Sequence, residues 1–334
     1  MTEPSEQVMT LCRSWEELAA LGRPVHWAMG VFDGVHRGHR LVIESASAPG
    51  ALRGVLTFDR HPQELLCPAK APRLLVPDAG LKRELIASLG VDVLLELPFT
   101  LELASLSATD FLDRLSAACP LAGVSVGANW RFGASRGGNV DLLRAEGARR
   151  GFAVNVAPLI EDAGETVCSS AIRRHLQEGM FDRAAAMLGH PFALAGAVEE
   201  GQRLARRWNF PTANLRPLPG AFPPCGAYAA RVRIEGAADT GAYRAVANFG
   251  LRPTVQHPEK GASPLLEAHL FDYDGSLYGR RLVVELLHFL RPERAFGSLD
   301  ALRQQIECDA REAKAILSAE NPQISQILAQ MGTD

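Results

Sequence analysis

This 334-residue sequence lacks long apolar runs, closely spaced cysteine pairs and a large net charge. No uncharged apolar run approaches the roughly 18 residues that a membrane span needs. The formal net charge of −3 gives no overall attraction to nucleic acid or acidic lipid, so we expect neither as a partner. Lysine occurs only four times among 35 basic residues, a bias that by itself indicates no function. The length exceeds that of one typical core and predicts two domains.

Cysteine spacing excludes the usual zinc motifs. None of the six cysteines forms a C-x-x-C pair or stands at a metal-ligand distance from histidine. The first ten residues, M-T-E-P-S-E-Q-V-M-T, lack the basic and apolar regions of a signal peptide. We therefore expect a cytoplasmic protein with reduced thiols.

The first half of the chain alternates short β-rich runs with helical ones. This pattern is typical of a parallel sheet built from βα units. The expected strands are Val25–Val31, Gly54–Phe58, Val91–Leu97, Gly123–Gly127 and Phe152–Val156. The expected helices are residues 81–89, Asp110–Ala118, Val140–Gly151, Ser169–Gln177 and Asp182–Leu188.

The pattern changes at L-G-H-P, residues 188–191, where Gly and Pro follow a helical run. Short strand-like runs separated by Pro- and Gly-bearing turns then continue to about residue 290. They predict a small antiparallel barrel, followed by a helix after Ser298. The expected domains are residues 10–188 and 191–320.

The most informative local pattern is G-V-F-D-G-V-H-R-G-H at Gly30–His39, where the first strand should pass into a helix. Ligands of open α/β sheets bind at such junctions. Gly34 and Gly38 allow the backbone to approach a ligand, and His36 and His39 share one face of a helical turn. Two imidazoles beside a helix N-terminus favour a phosphate pocket.

This segment resembles the H-x-G-H signature of the nucleotidyltransferases. L-T-F-D-R-H-P at 56–62, G-A-N-W-R-F-G at 127–133 and C-S-S-A-I-R at 168–173 resemble the remaining motifs of bacterial FAD synthetases, in the same order. The resemblance implies a doubly wound parallel sheet that transfers AMP from ATP to FMN and releases pyrophosphate. It also implies Mg²⁺ on the triphosphate.

The resemblance assigns roles to individual residues of this half. The catalytic residues are expected to be His36, His39 and Arg173. The ATP or phosphate ligands are expected to be Gly30, Phe32, Asp33, Gly34, Gly38, Ser169 and Ser170. Asn129 and Trp130 are expected to contact the flavin, and Asn129 stands where the family usually has Asp.

In the second half, F-P-T-A-N-L at 210–215 closely resembles the metal-binding motif of riboflavin kinases. Thr212 and Asn214 are two residues apart, so an extended segment directs both oxygens to one side, where they can hold Mg²⁺. P-C-G-A-Y, N-F-G-L-R-P-T and L-E-A-H-L-F-D-Y-D-G extend the match. The resemblance implies a six-stranded barrel that phosphorylates riboflavin to FMN, with Glu267 as general base. It places Arg291, Glu293 and Phe296 near the flavin.

The segment before this motif departs from the family pattern. A-R-R-W-N-F-P-T-A-N stands where G-R-x-L-G-F-P-T-A-N is usual. We expect positive φ at Asn209, negative φ at Ala205, and phosphate contacts from Arg206 and Arg207, because Asn tolerates the left-handed region better than Ala.

Together the motifs span about residues 20–316 and predict a bifunctional enzyme of FAD biosynthesis. One alternative is a monofunctional adenylyl- or cytidylyltransferase joined to an unrelated β-domain. A second alternative is a flavin-binding or flavin-sensing protein that has lost one or both activities. The oligomeric state is not predicted.

Overall fold

The computed structural model describes residues 9–199, 212–236, 241–253 and 262–319. The chain divides into two compact units. The first contains residues 1–173 and 187–189, and the second contains residues 174–186 and 190–334. Within the described ranges, no helix has both the length and the apolar character that crossing a membrane requires.

The first unit is built on a six-stranded parallel sheet with the order β1-β4-β3-β2-β5-β6. Its strands are β1 (Thr10–Cys12), β2 (Val25–Met29), β3 (Leu52–Phe58), β4 (Val93–Leu97), β5 (Leu121–Gly127) and β6 (Ala153–Ala157). Five of them coincide with expected strands, within a few residues at each end. The sequence pattern missed β1, because three residues are too short for an alternation to stand out.

Helices connect these strands, and a small hairpin follows β6. The helices are α1 (Trp15–Ala19), α2 (Arg37–Glu44), α3 (Pro62–Leu66), α4 (Ala79–Ala87), α5 (Leu101–Ser105), α6 (Ala108–Ala118), α7 (Val140–Arg150), α8 (Ser169–Gln177) and α9 (Phe181–Leu188). The hairpin pairs β7 (Glu161–Asp162) with β8 (Glu165–Thr166). Residues 174–186, which include most of α9, group with the second unit.

Both faces of the parallel sheet are covered by apolar side chains. Trp27 and Leu95 belong to a core cluster that includes Leu115 of α6. Their strand neighbours Ala28 and Leu94 belong to a separate cluster with residues of α2 and α4. Because successive strand residues point to opposite faces, this division confirms the doubly wound arrangement.

The second unit is a closed antiparallel barrel with the strand order β10-β13-β12-β11-β14-β9. Its strands are β9 (Phe192–Glu199), β10 (Ala213–Leu215), β11 (Gly226–Ile234), β12 (Tyr243–Pro253), β13 (Ala262–Leu270) and β14 (Arg281–Pro292). Tyr228, Phe249 and Leu266 are fully buried. Helix α10 (Leu299–Ala319) packs Ala313 and Leu317 with Val246 and Phe271. The expected barrel and terminal helix are confirmed.

Candidate active sites

The loop that follows β2 lies at the carboxyl end of the strand beside which the order of strand addition reverses. β2 has β3 on one side and β5 on the other, so the loop occupies the position where open α/β sheets bind ligands. Its backbone is tightly turned, with positive φ at Phe32, Gly34 and Val35. A Cβ at Gly34 would lie 2.7 Å from a carbon of Leu75. Glycine is therefore required at position 34 by both its φ and its neighbour.

Asp33 organises this loop from its buried carboxylate. One oxygen accepts hydrogen bonds from the backbone N–H groups of Leu75, at 2.8 Å, and Val76, at 3.3 Å. The other oxygen lies 2.7 Å from the guanidinium of Arg173. Burial raises the pKa of Asp33, while the Arg173 charge acts in the opposite direction. The carboxylate thus ties α8 and residues 75–76 to the loop.

The two motif histidines form a stacked pair. His36 is the N-cap of α2, and its Nδ1 accepts the backbone N–H of His39 at 3.3 Å. The two ring centroids are 3.6 Å apart, and Phe32 meets the His39 ring edge-on. Burial, and then the His36 charge, hold the pKa of His39 well below its ordinary value. His39 is therefore neutral near pH 7 and can offer a phosphate a hydrogen bond rather than a charge.

The other predicted phosphate ligands converge on the same loop. The Ser169 hydroxyl donates to the backbone carbonyl of Asp33 at 2.9 Å. Arg173 lies 3.4 Å from the Ser170 hydroxyl in addition to its contact with Asp33. Gly38 packs under the His36 ring, where a Cβ would approach it to 3.3 Å, and the N–H of Gly30 donates to Leu56. The fold thus brings together residues that lie about 140 positions apart in sequence.

Lys82, which the sequence motifs did not indicate, reaches the same edge of the sheet from α4. Its ammonium donates to the Thr57 hydroxyl at 3.0 Å and to the Phe58 carbonyl at 3.5 Å. The Thr57 hydroxyl donates in turn to the carbonyl of Val31 at 3.0 Å. Burial lowers the pKa of Lys82 to about 8. No local pattern predicts this contact, because α4 and the two strand ends meet only in the folded chain.

The predicted flavin contacts Asn129 and Trp130 line a cavity of about 380 Å³ beyond the carboxyl ends of β5 and β6. Arg131 and Arg144 line the same cavity. The indole of Trp130 stacks on Phe132, with ring centroids 4.4 Å apart. The lining combines an aromatic side chain with amide, basic and acidic ones, the last from Asp141.

Strand register assembles the candidate site of the barrel. Asn214 on β10 is directly opposite Glu267 on β13, and Glu267 is directly opposite Asn248 on β12. Opposed residues of antiparallel strands point to the same face, so the three polar side chains form one row. Thr212 precedes β10 and is half-buried. Sequence analysis assigned Asn214 and Glu267 but missed Asn248, although it lies in the quoted motif N-F-G-L-R-P-T.

The residues expected near the flavin in this half lie where β14 runs toward α10. The guanidinium of Arg291 donates to both carboxylate oxygens of Asp309, at 2.7–3.1 Å. It also lies over the Phe296 ring, 5.8 Å from its centroid. The Glu293 carboxylate lies beside Gly250 on β12. Arg291 is thus engaged by buried Asp309, a partner that sequence analysis did not identify.

Ala205, Arg206, Arg207 and Asn209 lie outside the described residues. In the part of the chain that is described, no three His, Cys, Asp or Glu side chains gather in a way that could hold a metal ion. All six cysteines are free thiols.

Comparison with known proteins assigns a family to each half. A family model described as FAD synthetase matches residues 20–171, and one described as riboflavin kinase matches residues 188–317. The two matched ranges fall largely on the parallel sheet and on the barrel respectively. These features define a transferase with one nucleotide-dependent module in each unit.

Curated relatives match nearly the whole chain. The bifunctional riboflavin kinase/FMN adenylyltransferase of Pseudomonas fluorescens is 38% identical over 315 residues, which cover 92% of this chain and 98% of the relative. The Escherichia coli K12 protein of the same description is 36% identical and covers 88% and 93%. The Bacillus subtilis protein is 32% identical and covers 86% and 90%. The chain belongs to the bifunctional riboflavin kinase/FMN adenylyltransferase family.

A solved structure shares the fold. A Streptococcus pneumoniae chain described as a macrolide-efflux protein aligns with a TM-score of 0.75 at 24% identity, covering 90% of this chain and 97% of that one. This likeness supports the order of the sheet and the barrel along the chain.

Proposed function

We propose that this chain phosphorylates riboflavin to FMN with ATP and then adenylylates FMN to FAD with release of pyrophosphate. The observation that carries the proposal is the tandem match of an FAD synthetase model and a riboflavin kinase model to the two halves of the chain. The match to 188–317 also argues against an unrelated β-domain beside a lone nucleotidyltransferase. The domain limits that we propose remain 10–188 and 191–320.

Adenylyl transfer belongs to the first unit in this proposal. A phosphate oxygen of FMN attacks the α-phosphorus of ATP, the bond to the β-phosphate breaks, and pyrophosphate leaves. His36 and His39 donate hydrogen bonds to phosphate oxygens, and the positive end of the α2 dipole favours the same negative charge. Ser169 and Ser170 border the phosphates from the N-terminus of α8, and Arg173 fixes the loop through Asp33. No covalent intermediate is required, because positioning and electrostatic stabilisation suffice for such transfers.

Riboflavin phosphorylation belongs to the barrel. Glu267 accepts the proton of the ribityl hydroxyl as its oxygen attacks the γ-phosphorus of ATP, and ADP leaves. The row Asn214, Glu267 and Asn248 supports this assignment, because it sets a carboxylate between two amides that can orient it or bind phosphate. The turn region around Arg291, Glu293 and Phe296 is proposed to border the flavin ring.

Magnesium is part of the proposal in both units. The hydroxyl of Thr212 and the amide oxygen of Asn214 are hard neutral donors, and Glu267 stands next to Asn214 in register. This donor set fits Mg²⁺. When bound, the ion would neutralise charge on the ATP phosphates. We propose a cytoplasmic location and small-molecule substrates, with neither nucleic acid nor membrane as a partner.

One incubation tests the proposed function. Purified protein is mixed with riboflavin, ATP and Mg²⁺, and the flavins are separated by chromatography over time. We expect FMN to rise first and FAD to follow, with ADP and pyrophosphate as the other products. Flavin that stays bound but chemically unchanged would instead support the flavin-binding alternative.

A further inference from the structure

The charges around the first active site do not balance. Three carboxylates lie near the ammonium of Lys82, and each is already paired with an arginine. Asp33 pairs with Arg173 at 2.7 Å, Glu96 with Arg83 at 2.5 Å, and Asp59 with Arg60 at 3.6 Å. Among the described residues, the Lys82 ammonium donates hydrogen bonds only to the neutral oxygens of Thr57 and Phe58. Its positive charge is therefore the surplus one.

This surplus charge lies where an anionic ligand is expected. Thr57 is fully buried at the end of β3, and its hydroxyl links Lys82 to Val31 in the motif loop. Burial is the main cause that lowers the pKa of His39 and of His61, and the nearby Lys82 charge adds to the lowering of both. A desolvated cation without a counterion is unfavourable, and binding of an anion relieves that cost.

Arg173, by contrast, is already neutralised. Its guanidinium is mostly buried against the Asp33 carboxylate, which also holds Leu75 and Val76. Drawing Arg173 away toward a phosphate would leave that buried carboxylate without its cation, which is strongly unfavourable. The arginine of the motif thus serves to fix the loop, and another group must supply the charge.

We propose that the ammonium of Lys82 is the cation that binds a substrate phosphate during adenylyl transfer. The inference rests on the proposed FMN adenylyltransferase function. The phosphate belongs either to FMN or to ATP, and in both cases the ammonium stabilises the negative charge that shifts between phosphate oxygens as the bond to pyrophosphate breaks. Asp33 and Arg173 then act as positioning residues that hold the loop in place.

The environment of Lys82 predicts a distinctive pH dependence. Burial lowers its pKa to about 8, so the free enzyme loses this charge as the pH rises through that value. The charged and titratable groups around it come from five elements and their flanking loops: Asp33, His39, Asp59, His61, Arg83, Glu96 and Arg173. Because kcat/KM reports the free enzyme, kcat/KM for FAD formation should fall above about pH 8.

The test compares Lys82→Met, Lys82→Arg and the exposed-lysine control Lys70→Met over pH 6.5–9.5. Rates of FAD and FMN formation are measured on the same full-length proteins, with KM for FMN and for ATP taken separately. We expect Lys82→Met to lose about 100-fold in kcat/KM for FAD formation, while FMN formation and the Lys70→Met protein stay within about twofold of wild type. A rise in the KM for FMN would place Lys82 at the FMN phosphate, and a rise in the KM for ATP would place it at the ATP phosphates.

Lys82→Arg separates charge from architecture. It can still donate to Thr57, and its guanidinium stays charged at every pH tested. We expect it to form FAD without the alkaline fall of the wild type. The proposal would be overturned if kcat/KM fell equally at alkaline pH in wild type and Lys82→Arg, or if Lys82→Met formed FAD at the full rate. If Lys82→Met does not fold, the pH profile of Lys82→Arg decides.

Titration with pyrophosphate and, separately, with FMN keeps the test independent of turnover. We expect Lys82→Met to bind one of the two compounds at least about tenfold more weakly than wild type at pH 7: pyrophosphate if Lys82 contacts ATP, or FMN if it contacts the FMN phosphate. If wild type makes no FAD under any condition, the proposed function fails, and this titration still decides on Lys82. Equal affinity of the two proteins for both pyrophosphate and FMN would contradict the assignment.

Discussion

The two units build their candidate sites in different ways. In the parallel-sheet unit, side chains from distant loops interlock around one buried carboxylate, Asp33. In the barrel, Asn214, Glu267 and Asn248 come from three adjacent strands and are aligned by the pairing of the backbone. The first site depends on side-chain contacts, whereas the second depends on register.

This difference determines how each site should respond to substitution. Removing a member of an interlocked network leaves buried groups unpaired, so structure and activity change together. Replacing one side chain of the row Asn214, Glu267 and Asn248 leaves the backbone hydrogen bonds of the barrel intact. Activity of the barrel should therefore be lost without loss of the fold.

The largest expected effect is that of Glu267→Gln. The amide keeps the size of the side chain but cannot accept the ribityl proton, so FMN formation should fall about 10³-fold. FAD formation from supplied FMN should stay unchanged, as should the melting temperature. Initial rates of both reactions on one preparation measure this.

Glu285→Gln is the matched control for that substitution. Glu285 lies on barrel strand β14 and pairs with Arg233 at 3.8 Å. Its replacement should leave both rates near wild type. Equal losses in the two variants would show that any change of charge on the barrel impairs it, and would remove the case for Glu267 as the base.

His36→Ala should lower FAD formation about 100-fold and spare FMN formation. The substitution removes both an imidazole and the N-cap of α2. His36→Asn distinguishes these roles, because Asn is a good N-cap without an imidazole. We expect FAD formation to remain low in His36→Asn while its thermal stability returns toward that of wild type. Recovery of FAD formation in His36→Asn would show that His36 acts only as the N-cap of the helix.

Asp309→Asn tests the packing of α10 against the barrel. Weakening its buried pair with Arg291 should destabilise the barrel by about 3 kcal/mol. In urea, the loss of FMN formation should move to a lower midpoint, while the loss of FAD formation should not move. Glu312→Gln, an exposed change on the same helix, should shift neither midpoint appreciably. A shift of both activities together would contradict the independence of the units.

Local pattern predicted most of the fold because periodicity and turn residues are local properties. The five long strands of the sheet and the change of character at residue 188 are examples. Contacts between distant segments could not be predicted in this way. The pairing of Asp33 with Arg173 joins residues 140 positions apart, and the approach of Lys82 to Thr57 depends on how α4 packs. The alignment of Asn248 with Glu267 depends on strand register, which no single strand specifies.

Mixing two single-site variants tests the central claim most directly. His36→Ala protein and Glu267→Gln protein are each incubated with riboflavin, ATP and Mg²⁺, and then together. Alone, the first should accumulate FMN without FAD, and the second should leave riboflavin almost unchanged. If the two reactions occupy separate units, the mixture should form FAD, because FMN released by one protein is the substrate of the other. Failure of the mixture to form FAD, with both proteins folded and FMN present in solution, would contradict two independent sites.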